Sequence, residues 1–237
     1  MLVKQPSVVS KNYLDYIKEQ EMVEKEIWSS IEVKGLMVID FGVGESTKKL
    51  VELGARVIAV DKDKEKLKRY SSLDLSLIQC DIVKLPFHTK IADLAVFYFT
   101  LHEIDPNLHK NAILSARKVS SKVMVVEPSP NGCPTYNLYA SIWRRAMHSV
   151  NEFEDYKHAS YWKRLIEDCG FKVIALKRVR QKVEIPFIML KQLVHDTIKQ
   201  WKNIGIKVKY IHEMENFLNY VKKRGMRWSD LSVIIGI

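Results

Sequence analysis

Short apolar runs alternate with amphipathic segments along the first two thirds of this chain, and this alternation constrains its fold more than any other feature. Five runs have the length and composition of strands: residues 36–40, 56–60, 75–79, 91–98 and 122–126. The first two have the continuous apolar composition of strands buried on both faces. Segments with helical periodicity lie between them at residues 46–53, 64–70 and 107–118. Strands and helices that alternate at this spacing predict a mostly parallel sheet covered by helices.

Later residues complete this pattern. A helix over 161–169 precedes a sixth strand over 171–176, and residues 231–237 form a strongly β-like run. With the five earlier runs, they predict an α/β fold. Its core is a Rossmann-like, doubly wound seven-stranded sheet, mostly parallel with an antiparallel last hairpin.

Three segments lie outside this alternation. Residues 12–32 have the pattern of an amphipathic helix ahead of the first strand. Two mainly helical stretches, about 130–154 and about 186–228, follow the fifth and the sixth strand. We expect both to be insertions into a single domain that spans residues 1–237.

Cysteine usage and length bound the class of protein. The 237 residues are 47% hydrophobic and 28% charged, which is ordinary for a globular chain with a continuous core. Cys80, Cys133 and Cys169 are widely separated and form no CxxC pair. The sequence therefore predicts neither a disulfide framework nor a metal site.

Hydropathy patterning gives an expected location. Residues 1–6 lack the apolar run of a secretory signal. The longest apolar run, residues 91–101, is interrupted by Asp93 and is too short to cross a bilayer. With the unpaired cysteines, these observations predict a soluble, cytoplasmic protein.

The net charge of +10 admits nucleic acid as a partner. Lysine and glutamate are, however, mixed throughout, as in residues 62–66, which is the pattern of a solvated surface. This mixture also gives the chain an archaeal or thermophilic-like composition. We therefore favour a solvated surface as the explanation of the charge, with nucleic acid as the alternative.

A glycine turn follows the first strand, and an acid ends each of the next two. In doubly wound sheets, ligands bind beyond the carboxyl ends of the strands. Gly42 and Gly44 would let the backbone approach a ligand closely. Asp61 is placed to accept both hydroxyls of a ribose, Asp81 to meet an adenine amino group, and Asp40 to face an ammonium.

This arrangement favours a sulfonium nucleoside over a dinucleotide. The third glycine of GxGxxG is absent, since Lys48 and its neighbours stand in its place. Asp40 and Glu45 would also repel a pyrophosphate at the turn. An amino acid part, a ribose and an adenine are together the ligand that these acids suit.

Four segments resemble successive motifs of the class I S-adenosylmethionine-dependent methyltransferases: residues 38–44, 57–61, 79–87 and 91–104. The third and fourth are similar to those of the UbiE-like, or type 11, branch. The resemblance extends over roughly residues 36–176 and the final strand. It implies that S-adenosylmethionine is the cofactor.

The resemblance also implies roles for individual residues. Asp40 and Gly42 would lie near the methionine part, and Gly44 would give close backbone approach. The remaining cofactor contacts would be Asp61 at the ribose, Lys62 beside the adenosine, Asp81 and Ile82 at the adenine, and Tyr98 and Phe99 after the fourth strand. Ser46 replaces a glycine that is frequent in the family, and we expect its hydroxyl to cap the following helix.

The residues that would bind the methyl acceptor are less well defined by the sequence. His102 lies at the mouth of the crevice and is the candidate general base, although it could instead order the loop or contact the cofactor. Tyr136, Tyr139 and Trp143 recur at helical spacing and are candidates to cover an acceptor pocket. Ordinary packing of a helix against its neighbours would place aromatic residues at the same spacing.

We therefore expect a methyltransferase that acts on a small or lipid-like acceptor. The fourth motif has no Asn-Pro-Pro-Tyr element, which makes N-methylation of nucleic-acid bases less favoured. The alternatives are an RNA or protein methyltransferase and a non-catalytic S-adenosylmethionine-binding regulatory protein. The net charge and four lysines, Lys199, Lys202, Lys207 and Lys209, favour the RNA or protein reading.

Overall fold

A seven-stranded sheet forms the centre of the molecule in a computed structural model that describes residues 11–87 and 89–237. Residues 1–6, where no secretory signal is expected, lie outside the described residues. The strands are β1 Met37–Phe41, β2 Arg56–Asp61, β3 Ser76–Gln79, β4 Leu94–Tyr98, β5 Val123–Pro128, β6 Val173–Val179 and β7 Leu231–Gly236.

The strand order is β3-β2-β1-β4-β5-β7-β6. The first five strands are parallel, whereas β7 runs antiparallel to both β5 and β6. This confirms the predicted doubly wound sheet with its antiparallel last hairpin. The order reverses between β1 and β4, which places a crevice beyond the carboxyl ends of these two strands.

Eight α-helices accompany the sheet in the described part of the chain: α1 Lys11–Trp28, α2 Glu45–Glu52, α3 Lys64–Lys68, α4 His109–Val119, α5 Pro134–His148, α6 Ala159–Asp168, α7 Phe187–Asn203 and α8 Val208–Lys222. Their positions follow the predicted periodicity, and their ends differ by a few residues. The first helix was expected to reach residue 32, but it ends at Trp28. There the hydroxyls of Ser29 and Ser30 donate to the carbonyl oxygen of Glu26, which competes with continuation of the helix.

Apolar side chains cover both faces of the sheet. On one face, Ile27 of α1 and Leu50 of α2 are completely buried in a cluster with Val38 of β1. On the other face, Ile113 of α4 and Trp162 of α6 are completely buried in a second cluster. The helices therefore fix the sheet from both sides and leave its carboxyl edge to form a site.

The two helical insertions pack on each other in a third apolar cluster. The ring of Trp143 in α5 lies 5.6 Å from that of Trp201 in α7, and the ring of Tyr139 lies 5.6 Å from that of Phe217 in α8. Tyr16 of α1 joins the same cluster. The insertions and the first helix thus form one body beside the carboxyl edge of the sheet.

No helix among the described residues is long and apolar enough to cross a membrane.

Candidate active site

The two glycines after β1 are required for different reasons. Gly42 has a φ of +89°, and a Cβ built on it would lie 2.5 Å from the Oγ1 of Thr100. Thr100 is held there because its hydroxyl donates to the carbonyl oxygen of Phe41 over 2.7 Å. A Cβ on Gly44 would meet no protein atom within 4 Å. Only Gly44 therefore faces open space, whereas Gly42 is needed for packing against the end of β4.

Asp40 stabilises the conformation of this turn through hydrogen bonds. Its carboxylate is completely buried and accepts hydrogen bonds from the hydroxyls of Ser46, at 3.1 Å, and Thr47, at 2.6 Å. Burial raises the pKa of Asp40 to about 7, partly offset by these two hydroxyls, while the charge of Asp61 raises it further. The hydrogen bonds support an ordering role for Asp40, and a contact with the methionine part stays a prediction.

The expected capping role of Ser46 is wrong. Helix α2 begins one residue earlier, at Glu45, with Gly44 at the N-cap, so Ser46 lies inside the first turn. Its hydroxyl donates to Asp40 instead of accepting a backbone N–H. The hydroxyl of Thr47 is the one that accepts from the Gly44 N–H, over 3.1 Å.

Asp61 ties the end of β2 to the glycine turn. One carboxylate oxygen accepts the N–H of Val43 over 3.0 Å, and the other accepts the N–H of Asp63 over 2.8 Å. Each oxygen keeps a second lone pair, so the carboxylate can still accept further donors. Lys62 follows with an exposed side chain whose Nζ lies 3.7 Å from a carboxylate oxygen of Glu152.

Asp81 and Ile82 stand at the exit of β3. Asp81 caps a short 3₁₀ turn, Ile82–Lys84, because its carboxylate accepts the N–H of Val83 over 3.0 Å. Ile82 is half-buried against the apolar cluster below. The turn thus places a carboxylate and an apolar side chain side by side near the crevice, while their predicted contacts with adenine remain predictions.

A cavity of about 550 Å³ lies beyond the ends of β4 and β5, under α1 and α5. Six residues singled out from the sequence line it: Tyr98, Phe99, His102, Tyr136, Tyr139 and Trp143. The other predicted contacts lie outside its lining, at the ends of β1, β2 and β3. The site therefore has two neighbouring parts, one at the glycine turn and one in the cavity.

Tyr98 and Phe99 form the wall nearest to the glycine turn. Their rings lie 4.5 Å apart, and Tyr98 also stacks on Trp28 of α1 at 5.7 Å. Phe99 has a φ of +54°, a left-handed conformation that costs a non-glycine residue about 1–2 kcal/mol. Backbone strain of this kind persists only where the surrounding structure enforces it, and it is typical of functional sites.

A buried chain of four side chains crosses the floor of the cavity. The Nδ1 of His102 lies 2.5 Å from one carboxylate oxygen of Glu127, and its Nε2 lies 3.6 Å from Glu154. The other oxygen of Glu127 accepts the backbone N–H groups of Thr100 and Leu101. Glu154 in turn accepts the hydroxyl of Tyr156 over 2.5 Å. We refer to Glu127, His102, Glu154 and Tyr156 as the buried relay.

Burial and charge set the protonation of the relay. Burial lowers the pKa of His102, but attraction to Glu127, reinforced by their hydrogen bond and by Glu154, outweighs it and raises the value to about 9. Burial raises the pKa of Glu154 to about 7, although His102 and the hydroxyl of Tyr156 act in the opposite direction. At neutral pH the imidazole is therefore protonated, while Glu154 is near the midpoint of its titration.

The loop after α5 delivers Glu154 to this position. The N–H of Asp155 donates to the carbonyl oxygen of His102 over 2.8 Å, and the Asp155 carboxylate lies 2.7 Å from the Nε2 of His148. The backbone of His102 thus helps to hold this loop, while the role of its side chain, as a base or in ordering the loop, stays a prediction. Sequence reasoning did not identify Glu127, Glu154 or Tyr156.

Residues 37–126 match the family described as a methyltransferase domain. The match spans 90 of the 237 residues. This match confirms the family and the enzyme class expected from the sequence, while the assignment to the UbiE-like branch stays a prediction. None of the curated proteins matches the chain.

Solved structures of low sequence identity share the fold of this chain. The YcgJ protein of Bacillus subtilis has a TM-score of 0.59 at 14% identity, with 92% of this chain and 98% of that one covered. Magnesium protoporphyrin IX methyltransferase of Synechocystis gives 0.54 at 14% identity over 76% and 85% of the chains. A 1,6-didemethyltoxoflavin-N1-methyltransferase of Burkholderia thailandensis gives 0.51 at 13% identity over 99% and 92%.

Proposed function

We propose that this protein transfers the methyl group of S-adenosylmethionine to a small organic acceptor bound in the cavity. The observation that carries the proposal is the cavity itself, about 550 Å³ in volume and lined by seven aromatic side chains among others, beside the glycine turn. Its volume lies within the range of about 300–1,000 Å³ that is usual for small-molecule sites. A lipid-like acceptor would fit the same apolar walls.

The similar structures support both parts of this proposal. The Synechocystis and Burkholderia enzymes were solved with S-adenosylhomocysteine, and the latter also with 1,6-didemethyltoxoflavin, a small molecule. The described residues at the turn fit such a nucleoside. Gly44 leaves open space beside the backbone, and Asp61 keeps lone pairs for two ribose hydroxyls.

The proposed cofactor contacts are those expected from the sequence. Gly44 gives close approach, Asp61 holds the ribose, and Asp81 contacts the adenine. Lys62, Ile82, Tyr98 and Phe99 are the other proposed contacts. Asp40 and Gly42 also belong to the predicted cofactor site, and we propose that they act by stabilising the conformation of the turn.

Catalysis requires little beyond alignment and exclusion of water. When bound, S-adenosylmethionine supplies a methyl group that is already activated, so proximity can provide most of the rate enhancement. Tyr136, Tyr139 and Trp143 would hold the acceptor against the end of β4. A proton that leaves the acceptor would pass to the His102–Glu154 pair, which titrates as a unit. Because His102 is already protonated at neutral pH, Glu154 is the member that receives it.

The RNA alternative gains no support from the cavity. Of the described residues that line it, none is a lysine or an arginine. Lys199, Lys202, Lys207 and Lys209 lie on α7, on α8 or just ahead of α8, outside this lining. A polyanion would have to be recognised elsewhere on the surface.

Labelled methyl transfer into a cell extract tests the proposal. The extract is incubated with the protein and methyl-labelled S-adenosylmethionine, and is then separated into small molecules, lipids, RNA and protein. We expect label in the small-molecule or lipid fraction, and none when the protein is omitted. Label confined to RNA or protein would contradict the proposed acceptor class.

A calorimetric titration with S-adenosylmethionine accompanies this assay. Absence of binding at millimolar cofactor would overturn the enzymatic proposal itself.

A further inference from the structure

The ionisable side chains that line the cavity are mostly acidic. Three glutamates, Glu21, Glu24 and Glu154, contribute to the lining, whereas His102 is its only described cation and no described lining residue is a lysine or an arginine. Glu24 is paired at 2.9 Å with Lys49, which lies outside the lining, so Glu21 and Glu154 carry most of the uncompensated charge. This is the reverse of the whole chain, whose net charge is +10. A carboxylate or phosphate acceptor would therefore enter a field that repels it.

The buried relay carries an unbalanced charge. Glu127 and Glu154 are both buried, and only one cation, His102, lies between them. With both acids ionised and the imidazole protonated, the three groups sum to a net charge of −1. Glu127 is the better neutralised of the two acids, since it also accepts two backbone N–H groups. Glu154 is left with one neutral donor, Tyr156, and with His102 at 3.6 Å. An ionised carboxylate in this setting is destabilised until a second cation reaches it.

Aromatic faces surround the same space. Seven aromatic side chains line the cavity: Tyr98, Phe99, Tyr136, Tyr139, Trp143, Tyr156 and Trp228. The faces of such rings carry partial negative charge and attract organic cations, ammonium groups in particular. A hydrated inorganic ion gains less from apolar walls, whereas a substituted ammonium contacts both the rings and the carboxylate.

We infer that the methyl acceptor is an amine, held as its ammonium ion by the carboxylate of Glu154 and by the aromatic walls of the cavity. This inference rests on the proposed function and specifies its acceptor. It also explains why an otherwise basic protein buries an acid at this position.

The reaction balances with groups already present. The ammonium ion gives one proton to the carboxylate of Glu154, which becomes neutral. The freed nitrogen lone pair forms the N–CH₃ bond as the S–CH₃ bond breaks, and the bonding pair remains on sulfur. The product nitrogen regains a positive charge, and Glu154 later returns its proton to solvent.

Three ligands that differ mainly in charge provide the test: benzylamine, benzyl alcohol and benzoate. Each is titrated into the protein saturated with S-adenosylhomocysteine, and the quenching of tryptophan fluorescence is followed together with the heat of binding. We expect benzylamine to bind at least about tenfold more tightly than benzyl alcohol, and benzoate to bind most weakly. Equal affinities, or tighter binding of benzoate, would overturn the inference. This comparison needs no variant.

Two substitutions test whether Glu154 causes the preference for benzylamine. Glu154→Gln should lower the affinity for benzylamine about tenfold and leave that for benzyl alcohol unchanged. Glu167→Gln on α6, which also removes one negative charge but lies on an exposed helix outside the cavity, should change neither. A preference for benzylamine that persists in Glu154→Gln would overturn the assignment of this carboxylate. Displacement of benzylamine by Mg²⁺ or Mn²⁺ would instead show a metal site and overturn it too.

The same titrations separate the two proposals. Failure of S-adenosylhomocysteine to bind would contradict the proposed function. Normal binding of S-adenosylhomocysteine without a preference for benzylamine would contradict only the amine inference.

Discussion

Gly42 and Gly44 offer a matched pair of substitutions, because they lie two residues apart in surroundings that differ. A side chain on Gly42 would be strained in the left-handed conformation and would collide with Thr100. A methyl group on Gly44 would instead occupy the space proposed for the cofactor. The backbone at Gly44 is extended, with a φ of −171°, which any residue adopts.

We expect Gly42→Ala to lower the free energy of unfolding by about 2–4 kcal/mol, from left-handed strain and overpacking together. Gly44→Ala should change it by less than about 0.5 kcal/mol, yet weaken the binding of S-adenosylhomocysteine. Urea denaturation and calorimetric titration of both variants measure these effects. If Gly44→Ala binds as tightly as the wild type, the cofactor does not approach this turn.

Asp61→Ala tests the ribose contact. Hydrogen bonds to a charged group contribute about 1.5–3 kcal/mol, so affinity for S-adenosylhomocysteine should fall about 10- to 100-fold. The variant should remain folded, since Asp61 lies at the end of a strand that is paired on both sides. Asp74→Ala, an exposed acid ahead of β3, is the control and should bind normally. Unchanged affinity in Asp61→Ala would place the ribose elsewhere.

Helix α5 lines one side of the cavity, and α8 packs behind it. Phe217 of α8 is buried behind Tyr139 of α5, which lines the cavity. We expect Phe217→Leu to lower the free energy of unfolding by about 1–2 kcal/mol, because a smaller side chain leaves a gap behind Tyr139. Acceptor affinity should fall with it, while the affinity for S-adenosylhomocysteine stays unchanged. A parallel loss of cofactor affinity would show that the two parts of the site are coupled.

The positions of the strands and helices could be predicted from the sequence because buried strands and amphipathic helices leave strong periodic signals. Their ends could not, since single side chains decide them. The hydroxyls of Ser29 and Ser30 help to end α1 early, and Thr47, not Ser46, completes the turn at α2. Such hydrogen bonds depend on neighbours that periodicity does not reveal.

Some residues of the candidate site could likewise be predicted from the sequence, and others could not. The acids at the ends of β2 and β3 stand out because each follows an apolar run. Glu127 has the same signal, an acid after the apolar residues of β5, and could have been found by it. Glu154 has none, since it lies in a charged loop, and only the folded chain brings it to His102.

For the whole molecule, buried titratable groups predict a stability that depends on pH. The pKa of His102 is raised from 6.5 to about 9, so the folded state holds its proton more tightly than the unfolded state does. The resulting stabilisation is fully present below pH 6.5 and is lost as the pH rises to about 9. A shift of this size corresponds to at most about 3 kcal/mol.

Asp40 and Glu154 act in the same direction at lower pH. Each has its pKa raised to about 7, so the free energy of unfolding should already decline between about pH 5 and pH 7. Urea denaturation at pH 5.5, 7 and 9 measures the whole decline. In His102→Gln the decline above pH 7 should become much smaller, and an unchanged slope there would contradict the raised pKa of His102.

The antiparallel strand β7 has a consequence for how the molecule folds. It lies between β5 and β6. Strand β6 therefore has no partner in the sheet until β7, which begins more than fifty residues later in the chain, has paired with it. Pairings between residues so distant in sequence slow folding, because a long loop must close before any contact is gained. During that interval Ile174 and Leu176 of β6, which stay half exposed even in the native state, belong to an unpaired strand. Refolding from denaturant should therefore be slow and prone to aggregation at high protein concentration. We expect unpaired β6 to be the segment through which partly folded molecules associate.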